Sequence, residues 1–165
     1  MESGARGVGT ATRGVGIMAI YMKFTGSKQG WIKGAVTAAK YKDYIEVNSV
    51  EFGLGSPFDV HTGQSTGHRV VRPLQITKVL DKSSPLMVQS CDNNETGTVE
   101  IVYTEEGAEH KSLVTLSLTN AMVRDFNHVG SFNSSAAERV TLSFTKFEFT
   151  WSDGGIVASL DWTQS

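Results

Sequence analysis

Pro73-Leu-Gln-Ile-Thr-Lys-Val-Leu-Asp-Lys-Ser-Ser-Pro-Leu-Met-Val-Gln-Ser-Cys91 holds the change of period on which the fold reading turns. Over its first half Leu74, Ile76, Lys78 and Leu80 share one face of an extended segment, and Gln75, Thr77 and Val79 share the other. That two-residue alternation marks a half-buried strand. Asp81-Lys82-Ser83-Ser84-Pro85 then breaks it. The side-chain oxygens suit the orphan amides of a helix start, and a proline fits a first turn that has no use for its missing amide hydrogen. A short helix is expected from there to about Cys91, with Ser84 a candidate N-cap. Asp92-Asn93-Asn94 is a turn cluster that returns the chain to strands. No other segment reads as helical.

Strands account for the rest. Ala19 to Phe24 alternates, with Ile20, Met22 and Phe24 on one face. In Tyr44 to Leu54 the apolar parity slips, from Ile45 and Val47 to Val50, Phe52 and Leu54. A β-bulge near Asn48-Ser49, or a strand leaving one sheet for another, produces such a slip where a sheet curls. The slip recurs between Val140, Leu142, Phe144 and Phe147, Phe149, Trp151. Between lie Thr98 to Thr104, Leu113 to Thr119 and Ala121 to Val129, the first two joined by a hairpin at Glu105-Glu106-Gly107-Ala108. After the Ser152-Asp153-Gly154-Gly155 turn, Ile156, Ala158, Leu160 and Trp162 alternate. The expected fold is mainly β: a single closed β-barrel of about eight strands with one short α-helix packed on it. Too few helices are present to connect parallel strands in an α/β fold.

The 165 residues, 39% of them hydrophobic, fit one domain with a real core. Fifteen basic against seventeen acidic residues give a net charge of -2, without the basic footprint that nucleic acid requires. The lone Cys91 has no disulfide partner and reads as a small, semi-buried apolar residue on the helix. Met1 to Ile17 contains five glycines and no continuous apolar run, so it reads as neither a signal peptide nor a membrane span. Residues 1–17 are expected to be a disordered leader, either an extension from an upstream start or a cloning remnant, and 18–165 the barrel domain.

Gly53 to Arg72 has no sustained periodicity and exceeds the roughly 12 to 15 residues beyond which structureless loops become uncommon. Phe58, Val60, Val70 and Val71 make it too apolar for a solvated tail, so it is expected to pack on its own barrel or on a neighbour. The search for chemistry is negative. His61, His68, His110 and His128 lack metal-ligand spacing and read as exposed loop residues. There is no G-x-S-x-G elbow, and Gly63 to Arg69 lacks the order of a phosphate loop. Arg69 and Arg72 suit the rim of a protein contact. Phe144, Phe147, Phe149 and Trp151 read as core. No catalytic residue, cofactor or metal is assigned.

Four runs together resemble the Hcp family, the haemolysin-coregulated tube proteins of type VI secretion systems. They are Met18-Ala-Ile-Tyr-Met-Lys-Phe24, His61-Thr-Gly-Gln-Ser-Thr-Gly-His-Arg69, Ile76-Thr-Lys-Val-Leu-Asp-Lys-Ser-Ser-Pro-Leu86 and Glu138-Arg-Val-Thr-Leu-Ser-Phe-Thr-Lys-Phe-Glu-Phe149. They occur in family order and cover Met18 to Trp162; the leader is outside the family pattern, and the chain stops soon after the barrel, as the plain tube form does. The resemblance implies six copies closing into a ring and rings stacking into a hollow tube. That tube is loaded in the cytoplasm within a contractile sheath, capped by a spike and expelled without a signal peptide, with small effectors in its lumen. Its partners would be itself, the sheath and spike proteins and those effectors, with neither nucleic acid nor membrane insertion. Pro57, Phe58, Val60, His61, Gln64, His68, Arg69 and Arg72 are the residues expected to reach a neighbouring subunit. Asp81, Lys82, Ser83, Ser84 and Pro85 are expected to position the helix toward the ring interior or an adjacent subunit. Two other readings stay open: a monomeric barrel holding a small ligand, against which the bulky Leu116, Leu118, Leu142 and Phe144 speak, and a phage tail-tube subunit of the same architecture.

Overall fold

Each apolar phase slip becomes a place where a strand changes neighbours. The computed structural model describes residues 16–107 and 110–162. Its elements are β1 (Ile17–Gly26), β2 (Gly30–Ile32), β3 (Ile45–Val47), β4 (Ser49–Gly55), β5 (Val70–Val79), α1 (Ser84–Asp92), β6 (Thr96–Glu105), β7 (Ser112–Val129), β8 (Ala137–Ser143), β9 (Lys146–Trp151) and β10 (Ile156–Asp161). β3 pairs with β1 whereas β4 pairs with β5, and Asn48 between them donates its amide to Thr77 O at 2.7 Å. The slip at Asn48 is therefore a transfer between neighbours.

The second slip has a partner that the sequence reading did not register. Leu113 to Thr119 and Ala121 to Val129 form one strand, β7, with Asn120 at φ 52°. Its buried parity changes there, from Val114, Leu116 and Leu118 to Ala121 and Val123. β7 runs against β9 before this kink and against β8 after it. Thr145, between β8 and β9, donates its amide to Thr119 O at 3.0 Å and accepts from Asn120 Nδ2 at 3.0 Å. The two strands bend together, and an asparagine in the left-handed region makes the bend tolerable.

The fold is mainly β with one short helix. Two parts of the expectation are corrected. Among the described residues there are ten strands rather than about eight: the two slips and the turn at Gly26–Gly30 each add one, and the merging of two expected strands into β7 removes one. The ladder order β2–β1–β6–β7–β8–β5–β4 does not close by hydrogen-bonded strand pairing: β3, paired with β1, leads through Asn48 into β4 at the far end, so that side is bridged by the chain and not by a ladder. Met22, Phe24, Ile45, Leu74, Ile76, Ile101, Leu116, Leu118, Val140 and Leu142 fill the interior at 0–1% exposure, with Met87 of α1 lying over them. A smaller cluster of Tyr21, Val36, Tyr41 and Val102 covers the other face of β1 and β6. The expected leader lies outside the described residues except for Gly16 and Ile17, and Ile17 opens β1 opposite Glu105.

Candidate assembly surfaces

The long connection is shorter than expected and ordered by its own bonds. Gly53, Leu54 and Gly55 pair with Arg72, Val71 and Val70, so the ladder continues into what read as loop. Glycine hid this: a Cβ on Gly53 would meet the Arg72 guanidinium at 2.1–2.5 Å, so the bare backbone lets Arg72 cross the strand. Beyond Gly55 the chain forms a protruding arm. Thr66 N donates to Pro57 O at 2.9 Å, Asp59 N to Gln64 O at 2.8 Å and Gly63 N to Asp59 O at 2.7 Å, and Phe58 bridges to Ser65. The Asp59 carboxylate accepts from the amides of His61 and Thr62 at 2.7 and 3.1 Å, an Asx turn at the tip.

The arm holds its apolar side chains away from the body. Phe58 is 62% exposed and Val60 83%, and His61, Gln64, His68 and Arg69 are exposed as well. Arg69 lies 5.5 Å from the Trp162 ring centroid, a cation–π contact at the base of the arm. Beside that base, Phe52, Leu54, Val71, Phe144, Phe147, Phe149, Leu160 and Trp162 line an apolar pocket of about 190 Å³. The aromatic stripe thus divides: Phe147 is buried, while Phe144, Phe149 and Trp151 are half-buried around the core.

At the strand–helix junction Asp81 forms an Asx turn just ahead of the helix, and no side chain caps the helix amides. Asp81 Oδ1 accepts from the Ser83 amide at 2.9 Å and from the Ser83 hydroxyl. The N-cap is Ser83, whose own side chain makes no capping bond, and Pro85 sits in the first turn. The Ser84 cap reading is therefore corrected: Ser84 is inside the helix, and its hydroxyl points into the protein. It donates to Glu138 Oε1 at 2.6 Å and accepts from Lys78 Nζ at 2.9 Å. Lys82 is exposed and faces Asp43 at 3.8 Å.

Lys78 and Glu138 are what the sequence reading missed. Lys78 takes its place in the buried row Leu74, Ile76, Lys78 with no exposure at all. Its ammonium finds Glu138 Oε1 at 2.5 Å, Ser84 Oγ at 2.9 Å, Val79 O at 3.1 Å and Asp81 Oδ1 at 3.2 Å. Burial alone would raise the Glu138 carboxyl. Hydrogen bonds from Lys78, Ser84 and His128, with the Lys78 charge, outweigh that and hold it below the usual carboxylate range. His128, expected in a loop, stands on β7 directly opposite Glu138 and meets its Oε2 at 2.9 Å. The signal available beforehand was a lysine in an apolar alternation and a glutamate in another, 60 residues apart.

A second buried carboxylate lies just past the other end of α1. Glu95, 1% exposed, accepts from the amides of Lys28 and Gln29 at 2.5 and 2.6 Å and from Gln29 Nε2 at 2.8 Å. The same amide group of Gln29 donates to Leu86 O at 3.2 Å, tying the β1–β2 turn to the helix. Burial pushes the Glu95 carboxyl up, but these donors prevail and lower it. Cys91 is half-buried against the core. The helix is thereby held in its first turn through Ser84 and Leu86, and the chain just past its end is held through Glu95, with Val88 left 47% exposed.

Comparison with known proteins adds the lineage. A family model described as type VI secretion system effector, Hcp, matches residues 21–151. The chain is 32% identical over 161 residues to the "Major exported protein" of Pseudomonas aeruginosa, a match that covers 86% of this chain and 94% of that one. The structure is similar to a double mutant of the Hcp1 protein from the E. coli EAEC 042 pathovar (TM-score 0.79, 29% identity, 88% of this chain and 99% of the other). It is also similar to the secreted protein Hcp3 from Pseudomonas aeruginosa (TM-score 0.69, 25% identity, 87% and 97%). With the arm, the clamped helix and the two-strand kink all inside the matched span, the chain belongs to the Hcp family of type VI secretion system proteins.

Proposed function

We propose that this protein is a structural subunit of a type VI secretion inner tube: six copies form a ring, rings stack into a hollow tube, and a contractile sheath expels it. The observation that carries this reading is the family match over residues 21–151. The geometry supports it. The arm from Pro57 to Arg69 is ordered by its own hydrogen bonds yet leaves Phe58 and Val60 touching little of its own chain. A monomer gains nothing from such an arm, whereas a neighbouring subunit would bury it. The interior is filled by Leu116, Leu118 and Leu142, buried at 0–1% exposure, which speaks against the carrier barrel. Small effectors travelling in the lumen, and sheath and spike proteins outside and ahead of it, are the partners of such a tube, and export without a signal peptide is its route.

Light scattering and negative-stain imaging of the purified chain test this. Annuli whose mass is a multiple of 17.9 kDa are expected; particles that remain monomeric at high concentration would defeat the ring. Deleting Pro57 to Arg69 should leave the strand signature in circular dichroism intact and abolish stacking or export. Unchanged export would remove the arm from the assembly.

A further inference from the structure

The sheet forks at the paired kink, and the fork leaves a groove. Beyond β7, β8 takes β5 as its next neighbour, with Leu74 opposite Leu142 the last pair, whereas β9 takes β10. The start of β5, from Val70 to Arg72, has run past that ladder and pairs with β4. Among the described residues no ladder joins β4–β5 to β9–β10. The two ladders face each other across the apolar groove of about 190 Å³, with Phe52 and Leu54 on one side and Phe144, Phe149, Leu160 and Trp162 on the other. Each wall is fixed by its own backbone hydrogen bonds, so the strands themselves keep the walls apart. The groove is separate from the interior filled by Leu116, Leu118 and Leu142.

The lining and the size of the groove select an aromatic ring. Phe52 lies 5.0 Å from Phe147 and 6.0 Å from Phe149 between ring centroids, and Phe144 lies 5.7 Å from Phe147 and 6.4 Å from Trp162. These are the spacings of tilted and offset ring pairs, a pattern that one more ring extends. The volume is a little above the roughly 150 Å³ of a dry cavity lined by Leu, Ile and Phe that holds one benzene. It is below the roughly 300 Å³ at which sites for drug-sized molecules begin. One ring with a short stem fits.

The rim selects the charge. Arg69, at the root of the arm, sets its guanidinium 5.5 Å from the Trp162 ring centroid, on the wall of the groove. Among the described residues it makes no ion pair. A guanidinium is a planar fork that matches a carboxylate through two parallel hydrogen bonds. An apolar groove with one cation at its mouth suits a molecule that is aromatic at one end and anionic at the other.

We propose that this groove binds a small aryl carboxylate, a single aromatic ring on a short aliphatic stem. The ring lies among Phe52, Phe149 and Trp162, and the carboxylate meets Arg69. The proposal does not depend on the tube reading.

Phenylpropionate is the probe, and its uncharged amide, phenylpropionamide, is the control. Isothermal titration calorimetry of the full chain should show saturable binding of the acid with a Kd at or below about 1 mM. Arg69→Gln should weaken the acid about three- to fivefold, as an exposed ion pair predicts, and leave the amide unchanged. Ala158, an exposed residue of β10 that lines the groove, can be enlarged without entering the core. Ala158→Trp should abolish binding of both compounds, with circular dichroism verifying the fold and native mass spectrometry following assembly in the same samples. Absence of saturable binding, binding that survives Ala158→Trp, or an Arg69→Gln loss that is equal for acid and amide would overturn the proposal. Binding confined to dilute, unassembled chain would also overturn it and would give the groove to a second copy.

Discussion

Replacing Lys78 by methionine removes the one cation from a buried cluster that holds two carboxylates. Lys78 and Glu138 are 0% and 1% exposed, and Asp81 is 10% exposed. The substitution keeps side-chain length and apolar packing, so the loss is electrostatic. Glu138 would retain Ser84 and His128, and Asp81 would retain Ser83, but neither charge would keep its counter-ion. Removing one partner of a buried pair costs about 3–5 kcal/mol, a large part of the roughly 5–15 kcal/mol that holds a domain folded. At roughly 2–4 °C per kcal/mol for a chain of this size, Tm should fall by about 6–20 °C. Urea unfolding followed through Trp31, Trp151 and Trp162 reads the free energy, at fixed protein concentration because assembly stabilises by mass action. The slope must stay constant for the comparison to hold. Lys78→Met with Glu138→Leu should recover most of the loss, since an apolar pair of similar volume replaces a buried ion pair with little penalty. A single-variant loss below about 1 kcal/mol would refute the claim that this cluster clamps the helix.

Three further outcomes follow from the same geometry. Glu138 and Glu95 both titrate below the usual carboxylate range, so the unfolded chain takes up these protons first as pH falls. Their stabilisation is complete above about pH 5 and is lost on acidification through about pH 4 and below; Glu95→Gln should flatten that acid slope in urea midpoints, and an unchanged slope would remove Glu95 as a contributor. Ser84→Ala should destabilise by about 1–3 kcal/mol, as the loss of hydrogen bonds to buried charged groups predicts, and leave helix content by circular dichroism unaltered; a selective loss of helix signal would restore the cap reading. Gly97→Ala would bring a Cβ to 2.3 Å from Thr25 O, which is backbone and cannot swing aside, and should cost about 1–3 kcal/mol in thermal unfolding; a neutral result would show that β1 and β6 are free to separate there.

What could be read in advance followed from local periodicity. The helix after Lys82 and the slips at Asn48 and Phe144 are effects of near neighbours in sequence, and the structure gives each a cause: the Asp81 turn with Pro85 in the first helical turn, the transfer from β1 to β5, and the kink at Asn120. The kink itself hid between two good alternations and made one strand read as two. Lys78 and Glu138 were illegible for a different reason. A lysine on an apolar row is normally one that reaches water with its tip, and only a partner 60 residues away makes full burial tolerable. Gly53 and Gly55 masked a ladder because glycine reads as loop, although here it makes room for Arg72. The mainly β class with one short helix and the lineage were legible; the closure and number of the strands, the buried polar contacts and the ladder limits, which depend on long-range pairing, were not.

The account stands or falls on the native particle. Cryo-electron microscopy of the full chain, with native mass spectrometry of the same sample, should show closed annuli of sixfold symmetry with six times the 17.9 kDa subunit mass. A single 17.9 kDa species at every concentration, or a closed two-subunit particle with no bore, would contradict it.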